Sequence, residues 1–222
     1  MDNSVELRTV RKHYGGRQVL SDFDLQVKTG EMLALTGASG TGKSTVLNII
    51  GLLDSPDAGE VRLLGGKAPG PRSRAANRLR RLHLGYLFQN FALIDNESVA
   101  HNLEIAFTDS AGRTSKRHSM AAALDQVGLP GSENRKVFSL SGGEQQRVAV
   151  ARLLLKPCDI ILADEPTGSL DDDNRDIVID LLCGLNDAGK TVILATHDDD
   201  VAKRCTRTVT LSGSAARKRL KG

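Results

Sequence analysis

The chain of 222 residues has an ordinary globular composition, with 40% apolar and 26% charged residues, which excludes a disordered protein. A net charge of +3 and an aromatic content of 3% argue against a surface built to stack nucleic-acid bases. Its three scattered cysteines form no CxxC pair and fit a reducing compartment. The sequence has neither a basic, apolar leader nor an apolar run of about 18 residues, which predicts a soluble, cytoplasmic chain.

The first thirty residues alternate between apolar and polar positions, a pattern typical of half-buried strands. Val5 to Val10 predicts one strand and Phe23 to Val27 predicts another, with a turn at Gly15-Gly16 between them. Together they indicate a small antiparallel sheet with one solvent-exposed face. We assign residues 3–30 and 57–66 to this antiparallel β part.

Three continuous apolar runs predict strands that are buried on both faces: Met32 to Thr36, Ile160 to Ala163 and Thr191 to Ala195. Helical patterns lie between them. The predicted helices are Lys43 to Leu53, Ser73 to Leu82, Lys116 to Val127, Gly143 to Leu155 and Ile177 to Leu185. This alternation predicts an α/β fold in which helices wrap a mainly parallel sheet. Residues from about 90 to 140 lack such runs and are predicted to form a helical insertion.

The most specific motif is a glycine-rich phosphate loop, or P-loop. Gly37-Ala38-Ser39-Gly40-Thr41-Gly42-Lys43-Ser44-Thr45 matches G-x-x-x-x-G-K-[ST] between a predicted buried strand and a predicted helix. Backbone N–H groups of such a loop, together with the helix N-terminus, bind phosphate oxygens. Lys43 would bridge the β- and γ-phosphates, and the Ser44 hydroxyl would ligate Mg²⁺. The alternative is a glycine turn that only caps a helix.

A pair of carboxylates follows the predicted strand at Ile160 to Ala163. The strand brings Asp164 to the carboxyl end of the sheet, where it can hold Mg²⁺ through water. Glu165 is then placed to polarise an attacking water molecule. The alternative is an acidic turn that ends at Pro166, but beside a P-loop the pair indicates nucleotide hydrolysis.

Ser141, Gly142 and Gly143 open a predicted helix whose free N–H groups form a second candidate anion site, or simply a serine-capped helix start. The segment Leu140-Ser141-Gly142-Gly143-Glu144-Gln145-Gln146 resembles the signature sequence of ATP-binding-cassette (ABC) ATPases. The motifs occur in that family's order and at its spacing: the P-loop, Gln89, the signature, Asp164-Glu165, Ser169-Leu170-Asp171 and His197. The resemblance covers the chain from Val5 to Leu211.

The resemblance implies roles for four further residues. Tyr14 matches the aromatic residue that stacks on adenine, and Gln89 matches the glutamine that senses Mg²⁺ and links the core to the helical insertion. Asp171 matches the loop that crosses the dimer interface, and His197 matches the histidine that contacts the γ-phosphate. By residue type alone they could equally be a hairpin tyrosine, a strand end, a helix N-cap and an ordinary loop histidine.

The resemblance further implies a P-loop NTPase core in one domain, residues 3–211, that binds ATP and Mg²⁺. The expected catalytic residues are Lys43, Glu165 and His197, and the expected Mg²⁺ ligands are Ser44, Gln89 and Asp164. In this family each ATP lies between the P-loop of one subunit and the signature of another. A second cassette is therefore expected, most simply a copy of the same chain.

Within the family, Leu47 to Asp54 and Glu165 to Asp171 look most similar to cassettes of macrolide exporters and lipoprotein-release systems, and Leu87 to Ile94 to those of bacteriocin-type export. This implies an integral membrane permease partner, docking on Asn90 to Phe107 at the cytoplasmic face of the membrane. The exported substrate would be a peptide, lipid-linked or drug-like molecule. The alternative is a soluble ABC ATPase acting on nucleic acid or ribosomes. One P-loop and no sustained heptads argue against it, so no nucleic-acid partner is expected.

One basic cluster stands apart from these motifs. Its members are Arg72, Arg74, Arg78, Arg80 and Arg81, and the basic tail at residues 212–222 adds Arg217, Lys218, Arg219 and Lys221. A solvated helix face and a disordered tail are the plain interpretations. Contact with anionic lipid at the cytoplasmic leaflet is a second interpretation, and nucleic acid is a third.

Overall fold

A computed structural model describes residues 2–107 and 112–212 of the chain. The strands in these ranges are β1 (Asn3–Tyr14), β2 (Arg17–Lys28), β3 (Met32–Thr36), β4 (Ala58–Leu63), β5 (Gly66–Lys67), β6 (Leu84–Leu87), β7 (Ile160–Asp164), β8 (Thr191–Ala195) and β9 (Arg207–Thr210). The α-helices are α1 (Lys43–Ile50), α2 (Arg74–Leu82), α3 (Val99–Glu104), α4 (Arg113–Gln126), α5 (Gly142–Leu155), α6 (Asp172–Asp187) and α7 (Asp199–Lys203). They divide between two sheets.

The first sheet is antiparallel, with the strand order β2-β1-β4-β5. Val5 and Leu7 of β1 are buried, as the alternation predicts. A shift in the pairing register after Leu7 then leaves Thr9 exposed and buries Val10 instead. Both β1 and β2 extend well beyond the predicted strands and meet at the Gly15-Gly16 turn. The apolar face of this sheet shares one buried cluster with α1 and with one face of the second sheet. This contact fixes the end of β1 beside the P-loop.

The second sheet is parallel, with the strand order β6-β7-β8-β3-β9. Its β3, β7 and β8 strands lie where the apolar runs predict them, and β8 is buried along its whole length. Strands β6 and β9 are not among those that the three apolar runs predict. Gly85 interrupts the apolar pattern of β6, and β9 lies at the edge of the sheet and is only half-buried. The α/β fold with an antiparallel β part is confirmed.

The bounds of all five predicted helices differ in the structure, by one residue for α2 and α5 and by more for α1, α4 and α6; α4 begins at Arg113 rather than Lys116. Helix α1 ends at Ile50 rather than Leu53, because Leu52 takes a left-handed backbone conformation with φ 56°. Helix α6 begins at Asp172 rather than near Ile177, because the Asp171 side chain accepts a hydrogen bond from the Asn174 N–H and caps it. This cap extends α6 back to the loop that follows Glu165.

The region from about 90 to 140 contains α3, α4 and a short 3-10 turn at Val137–Ser139. Val99 of α3 and Leu124 of α4 are buried in the same apolar cluster as Val148 of α5 and Met32 of β3. Helix α5 therefore connects the core of the insertion with that of the parallel sheet. It also carries the signature residues at its N-terminus.

Gly59 marks a close approach between β4 and β1, where the pairing register shifts between Arg8 and Arg11. A Cβ atom at Gly59 would lie 2.5 Å from the carbonyl oxygen of Thr9, and the residue has φ +94°. Gly65 has φ +79° but no heavy atom within 4 Å of such a Cβ. The two glycines therefore separate backbone strain from steric overlap.

We expect Gly65→Ala to lower the free energy of unfolding by roughly 1–2 kcal/mol, the cost of a left-handed non-glycine residue. Gly59→Ala should cost more than about 3 kcal/mol, because overlap with the β1 backbone adds to that strain. Urea unfolding followed by circular dichroism measures both values. Equal losses would contradict the close approach.

Candidate nucleotide-binding site

The P-loop connects β3 to α1 at the carboxyl edge of the parallel sheet. Gly37, Gly40 and Gly42 have φ values of 137°, 76° and 102°, in the region that glycine enters without a steric penalty. A Cβ atom at Gly37 would lie 2.3 Å from the carbonyl oxygen of Leu211. Gly42 precedes α1, and no side chain caps this helix. The first N–H groups of α1 can therefore serve an anion.

Lys43 is the buried cation of the site, with only 7% of its side chain exposed. Its Nζ donates a hydrogen bond to the carbonyl oxygen of Gly37 at 2.7 Å and lies 3.7 Å from Glu165 Oε1. A buried ammonium needs such partners. Thr41 donates from its hydroxyl to the carbonyl oxygen of Ala38 at 2.8 Å, which braces the loop around it. The charge of Lys43 is therefore held where a phosphate would need it.

Two carboxylates lie beside Lys43, at the end of β7. The Ser44 hydroxyl donates to Asp164 Oδ1 at 3.0 Å. Burial raises the pKa of Asp164, the Ser44 hydrogen bond opposes this effect, and the neighbouring Glu165 carboxylate reinforces it. An additional cation would relieve the repulsion between these two carboxylates.

Glu165 itself has a left-handed backbone conformation, with φ 46°. Its N–H donates to the carbonyl oxygen of Ala195 at 2.9 Å, which fixes it to the end of β8. Its Oε2 lies 2.9 Å from Nδ1 of the exposed His197. A strained non-glycine residue held by its surroundings is common at functional sites. The carboxylate thus lies between the ammonium of Lys43 and the ring of His197.

The oxygen atoms of Ser44 and Asp164 are hard ligands that suit Mg²⁺. Gln89, two residues after β6, lines the same cleft as Ser44. Within residues 2–107 and 112–212, no three His, Cys, Asp or Glu side chains form a cluster that could hold a metal. Mg²⁺ is commonly held by one or two protein oxygens, water and nucleotide phosphates, so this donor set fits Mg²⁺ together with a nucleotide.

These residues surround one open cleft of about 490 Å³. The residues that line this cleft are Tyr14, Arg17, Val19, Ser39, Gly40, Gly42, Lys43, Ser44, Thr45, Gln89, Glu165 and His197. Four other predicted residues are joined to this lining by hydrogen bonds: Gly37 and Ala38 accept from Lys43, Thr41 donates to Ala38, and Asp164 accepts from Ser44. Tyr14 reaches the cleft from the end of β1 and is 45% exposed. The structure therefore brings the P-loop, Tyr14, Gln89, Glu165 and His197 together.

The sequence analysis missed Arg17, at the start of β2. Its guanidinium lies 3.4 Å from the carbonyl oxygen of Gly40, at the mouth of the cleft. The available signal was a cation directly after the Gly15-Gly16 turn, on the strand that follows Tyr14. Only the pairing of β1 with β2 brings that position to the P-loop.

Four predicted residues lie outside this cleft: Ser141, Gly142, Gly143 and Asp171. The Ser141 hydroxyl accepts from the Glu144 N–H at 3.2 Å, while the Glu144 carboxylate accepts from the Ser141 N–H at 2.7 Å. A Cβ atom at Gly143 would lie 2.3 Å from Asn174 Oδ1, and Asn174 donates to Asp171. The start of α5 and the start of α6 thus form one second cluster.

Helix α5 is also bonded to the loop that follows β7. The buried Gln146 side chain donates from Nε2 to the carbonyl oxygen of Pro166, the residue that follows Glu165. Its position, five residues after Ser141, places this hydrogen bond less than two turns into the helix. The second cluster is therefore attached to the loop beside the first.

The profile of the family described as "ABC transporter" matches residues 20–168. The macrolide export ATP-binding/permease protein MacB of Escherichia coli is 43% identical over 216 residues, which are 95% of this chain and 33% of that protein. The pyoverdine export ATP-binding/permease protein PvdT of Pseudomonas syringae pv. syringae (strain B728a) is 42% identical over 94% of this chain and 33% of its own length. The chain thus spans about a third of these curated relatives.

Among solved structures, the ATP-binding cassette MJ0796, in a dimeric post-hydrolysis state bound to ADP and Pi, superposes with a TM-score of 0.88. It is 36% identical, and the match covers 98% of this chain and 99% of that one. The fold and the P-loop cleft define a nucleotide-binding ATPase. The chain belongs to the ABC transporter family, as one of its ATP-binding cassettes, which confirms the resemblance stated from the motifs.

We expect Arg17→Ala to weaken ATP binding about fivefold, the effect of losing one exposed charge contact worth about 1 kcal/mol. Binding of a fluorescent ATP analogue measures it, and the loss should shrink at high salt because exposed charges are screened. Arg62→Ala is the matched control, since Arg62 pairs with Glu60 on β4, outside the cleft. Equal affinity of the wild type and Arg17→Ala would contradict the contact.

Proposed function

We propose that the chain binds Mg²⁺–ATP in the cleft around Lys43 and hydrolyses it in a head-to-tail pair with a second cassette. The observation that carries this proposal is that the chain holds two halves of a site, at separate places. The P-loop and Glu165 line the cleft, whereas the exposed Ser141 at the start of α5 lies outside it. The dimeric form of the similar MJ0796 cassette supports the pairing.

In the cleft, Lys43 and the N-terminus of α1 bind the phosphates, and Tyr14 stacks on the base. Glu165 accepts a proton from the attacking water, because its carboxylate is fixed by backbone and side-chain contacts at the end of β7. His197 orients that carboxylate and reaches the γ-phosphate. Bound Mg²⁺ would be held by Ser44, Asp164 and Gln89, and it would neutralise phosphate charge.

The second cluster would complete the partner's site. Helix α5 has 14 residues, and its N-terminus carries a partial positive charge beside the exposed Ser141 and Gly142. Such a terminus suits a terminal phosphate, and a serine hydroxyl adds one more donor. Asp171, attached to Gly143 through Asn174, would cross the interface alongside it.

We propose further that the pair drives a membrane permease that exports a peptide, lipid-linked or drug-like molecule. MacB and PvdT are named as ATP-binding/permease proteins, and the similar CbiO1 from Clostridium perfringens is part of the ABC transporter complex cbiONQ. The cassette would lie on the cytoplasmic face of the membrane. No helix within the described ranges is long and apolar enough to cross a membrane itself.

The segment from Asn90 to Phe107 is the proposed docking surface for the permease. It exposes Ile94 and Ile105, with 45% and 56% of their surfaces accessible. The segment is firmly held: the buried Asn102 side chain bonds both the N–H and the carbonyl of Ile94. Arg152 donates to the carbonyl oxygen of Ala92 at 2.7 Å. Exposed apolar residues on a braced segment are suited to a protein partner.

The basic cluster on α2 supports a position near anionic lipid. Arg74, Arg78 and Arg81 share one exposed helix face, at the spacing i, i+4 and i+7. Arg80 does not belong to this face. It is half-buried and donates to the carbonyl oxygens of Leu52 and Pro71. Of the basic tail at 212–222, all but Ser212 lies outside the described residues.

We expect Glu165→Gln to bind ATP but to lower turnover at least about a hundredfold, because the amide cannot accept the water proton. Bound ATP would then persist and hold two chains together. Gel filtration with ATP and Mg²⁺ should show a stable dimer. The double variant with Lys43→Ala is the control and should remain monomeric. A monomeric Glu165→Gln at saturating ATP would contradict this role of Glu165.

Mixing two inactive variants tests whether the site is shared. Lys43→Ala removes the buried P-loop cation, and Ser141→Arg places a bulky side chain at the start of α5. Each homodimer has two defective sites, whereas a mixed dimer has one site with both lesions and one intact site. Mixing should restore at most about half of the wild-type turnover per dimer if the sites act independently.

Recovered turnover, or ATP occluded at one site per mixed dimer, supports sharing. Cross-linking with differently tagged chains first establishes that mixed dimers form. Neither turnover nor occluded ATP in such dimers would refute a shared site between copies of this chain.

A further inference from the structure

A buried lysine lies beside the nucleotide cleft, and the proposed function gives it no role. Lys12 on β1 is 8% exposed. Its Nζ donates to Asp54 Oδ1 at 2.8 Å and to the carbonyl oxygen of Ser55 at 2.7 Å, while Asp57 Oδ1 lies 3.8 Å away. Burying an ammonium is costly unless such partners compensate it. Lys12 therefore fixes the loop that follows α1 against β1.

The same loop holds the aromatic residue of the cleft. The Tyr14 hydroxyl donates to Asp54 Oδ2, the oxygen that Lys12 leaves free. Lys12 Nζ also lies 5.0 Å from the centroid of the Tyr14 ring, within cation–π range. Burial by itself would raise the pKa of Asp54. Hydrogen bonds from Lys12, Tyr14 and the Ser55 N–H outweigh burial and lower that pKa. Asp54 is thus a charged acceptor shared by Lys12 and Tyr14.

The other acidic neighbour is already engaged. Asp57 Oδ2 accepts from the backbone N–H of His13 at 2.7 Å and lies 3.1 Å from the His13 ring. Among the described residues, Asp54 is the only one whose side chain accepts hydrogen bonds from both Lys12 and Tyr14. The two acidic residues therefore have separate tasks.

We propose that Asp54, held by Lys12, is a positioning residue that fixes the Tyr14 ring for stacking on the nucleotide base. The inference rests on the proposed function, in which Tyr14 contacts that base. Tyr14 is the last residue of β1 and stands beside Gly15 and Gly16, both with positive φ. A ring without this anchor would lose rotamer freedom on binding ATP. The hydrogen bond to Asp54 removes that cost before ATP arrives.

The test compares two ligands that differ in the base. Asp54→Ala should weaken ATP binding about fivefold, because the Tyr14 ring must then be ordered when ATP binds. It should leave the affinity for inorganic tripolyphosphate, which has no base, and kcat at saturating ATP within about twofold. Asp54→Asn keeps an oxygen for the Tyr14 hydroxyl and should restore most of the ATP affinity. Glu60→Ala, which removes an ion-paired carboxylate from the same sheet, is the control.

Tyr14→Ala separates this inference from the proposed function. It should weaken ATP binding at least as much as Asp54→Ala, because it removes the stack itself, and the double variant should bind no more weakly than Tyr14→Ala alone. Unchanged ATP binding by Tyr14→Ala would overturn the proposed base contact and this inference with it.

Three outcomes would overturn the positioning role alone, given that Tyr14→Ala weakens binding. They are normal ATP binding by Asp54→Ala, additive losses in the double variant, and an equal loss for tripolyphosphate. If Asp54→Ala does not fold, Tyr14→Phe decides the question, since it removes only the hydroxyl that Asp54 accepts. It should weaken ATP binding about threefold without affecting tripolyphosphate, and an unchanged ATP affinity would overturn the role.

Discussion

The whole site depends on the cost of gathering charges at one partly buried edge of the parallel sheet. Lys43, Asp164 and Glu165 lie together where β3 and β7 end, and none of them is fully solvated. Burial and the adjacent Glu165 raise the pKa of Asp164, so the two carboxylates are held against their mutual repulsion. Lys43 offsets part of that charge. A nucleotide with its cation would supply the opposite charges that this edge lacks.

The surrounding fold is organised so that these charges stay in place. Strands buried on both faces cannot shift without exposing apolar residues, and β8 anchors the Glu165 backbone through Ala195. The left-handed conformation of Glu165 is maintained by that anchor and by the compact turn that follows Pro166. The rigid sheet thus fixes the position of the Glu165 carboxylate.

Much of this arrangement was predictable from the sequence, because local patterns encode it. The apolar runs of β3, β7 and β8 and the P-loop spacing each depend on neighbours in the chain, and the resemblance supplied the order of the remaining motifs. The missed features depend on packing. Gly85 interrupts the apolar run of β6, because a Cβ atom at this position would lie only 2.7 Å from the Leu153 side chain. Arg17 reaches the P-loop only through the pairing of β1 with β2. Lys12 and Asp54 are 42 residues apart in the sequence, and no periodic pattern indicates their contact.

The hydrogen bond between Gln146 and Pro166 has a consequence for timing. In the proposed head-to-tail pair, the start of α5 would contact the terminal phosphate bound by the partner, whereas Pro166 follows Glu165, whose carboxylate would act on the chain's own ATP. A tilt of α5 after the partner's phosphate departs would shift the backbone at Pro166, next to that carboxylate. Each chain would then couple the two ATP sites, so that hydrolysis at one site would change the position of the Glu165 carboxylate at the other. The buried amide of Gln146 would thus couple the two sites and favour their alternation.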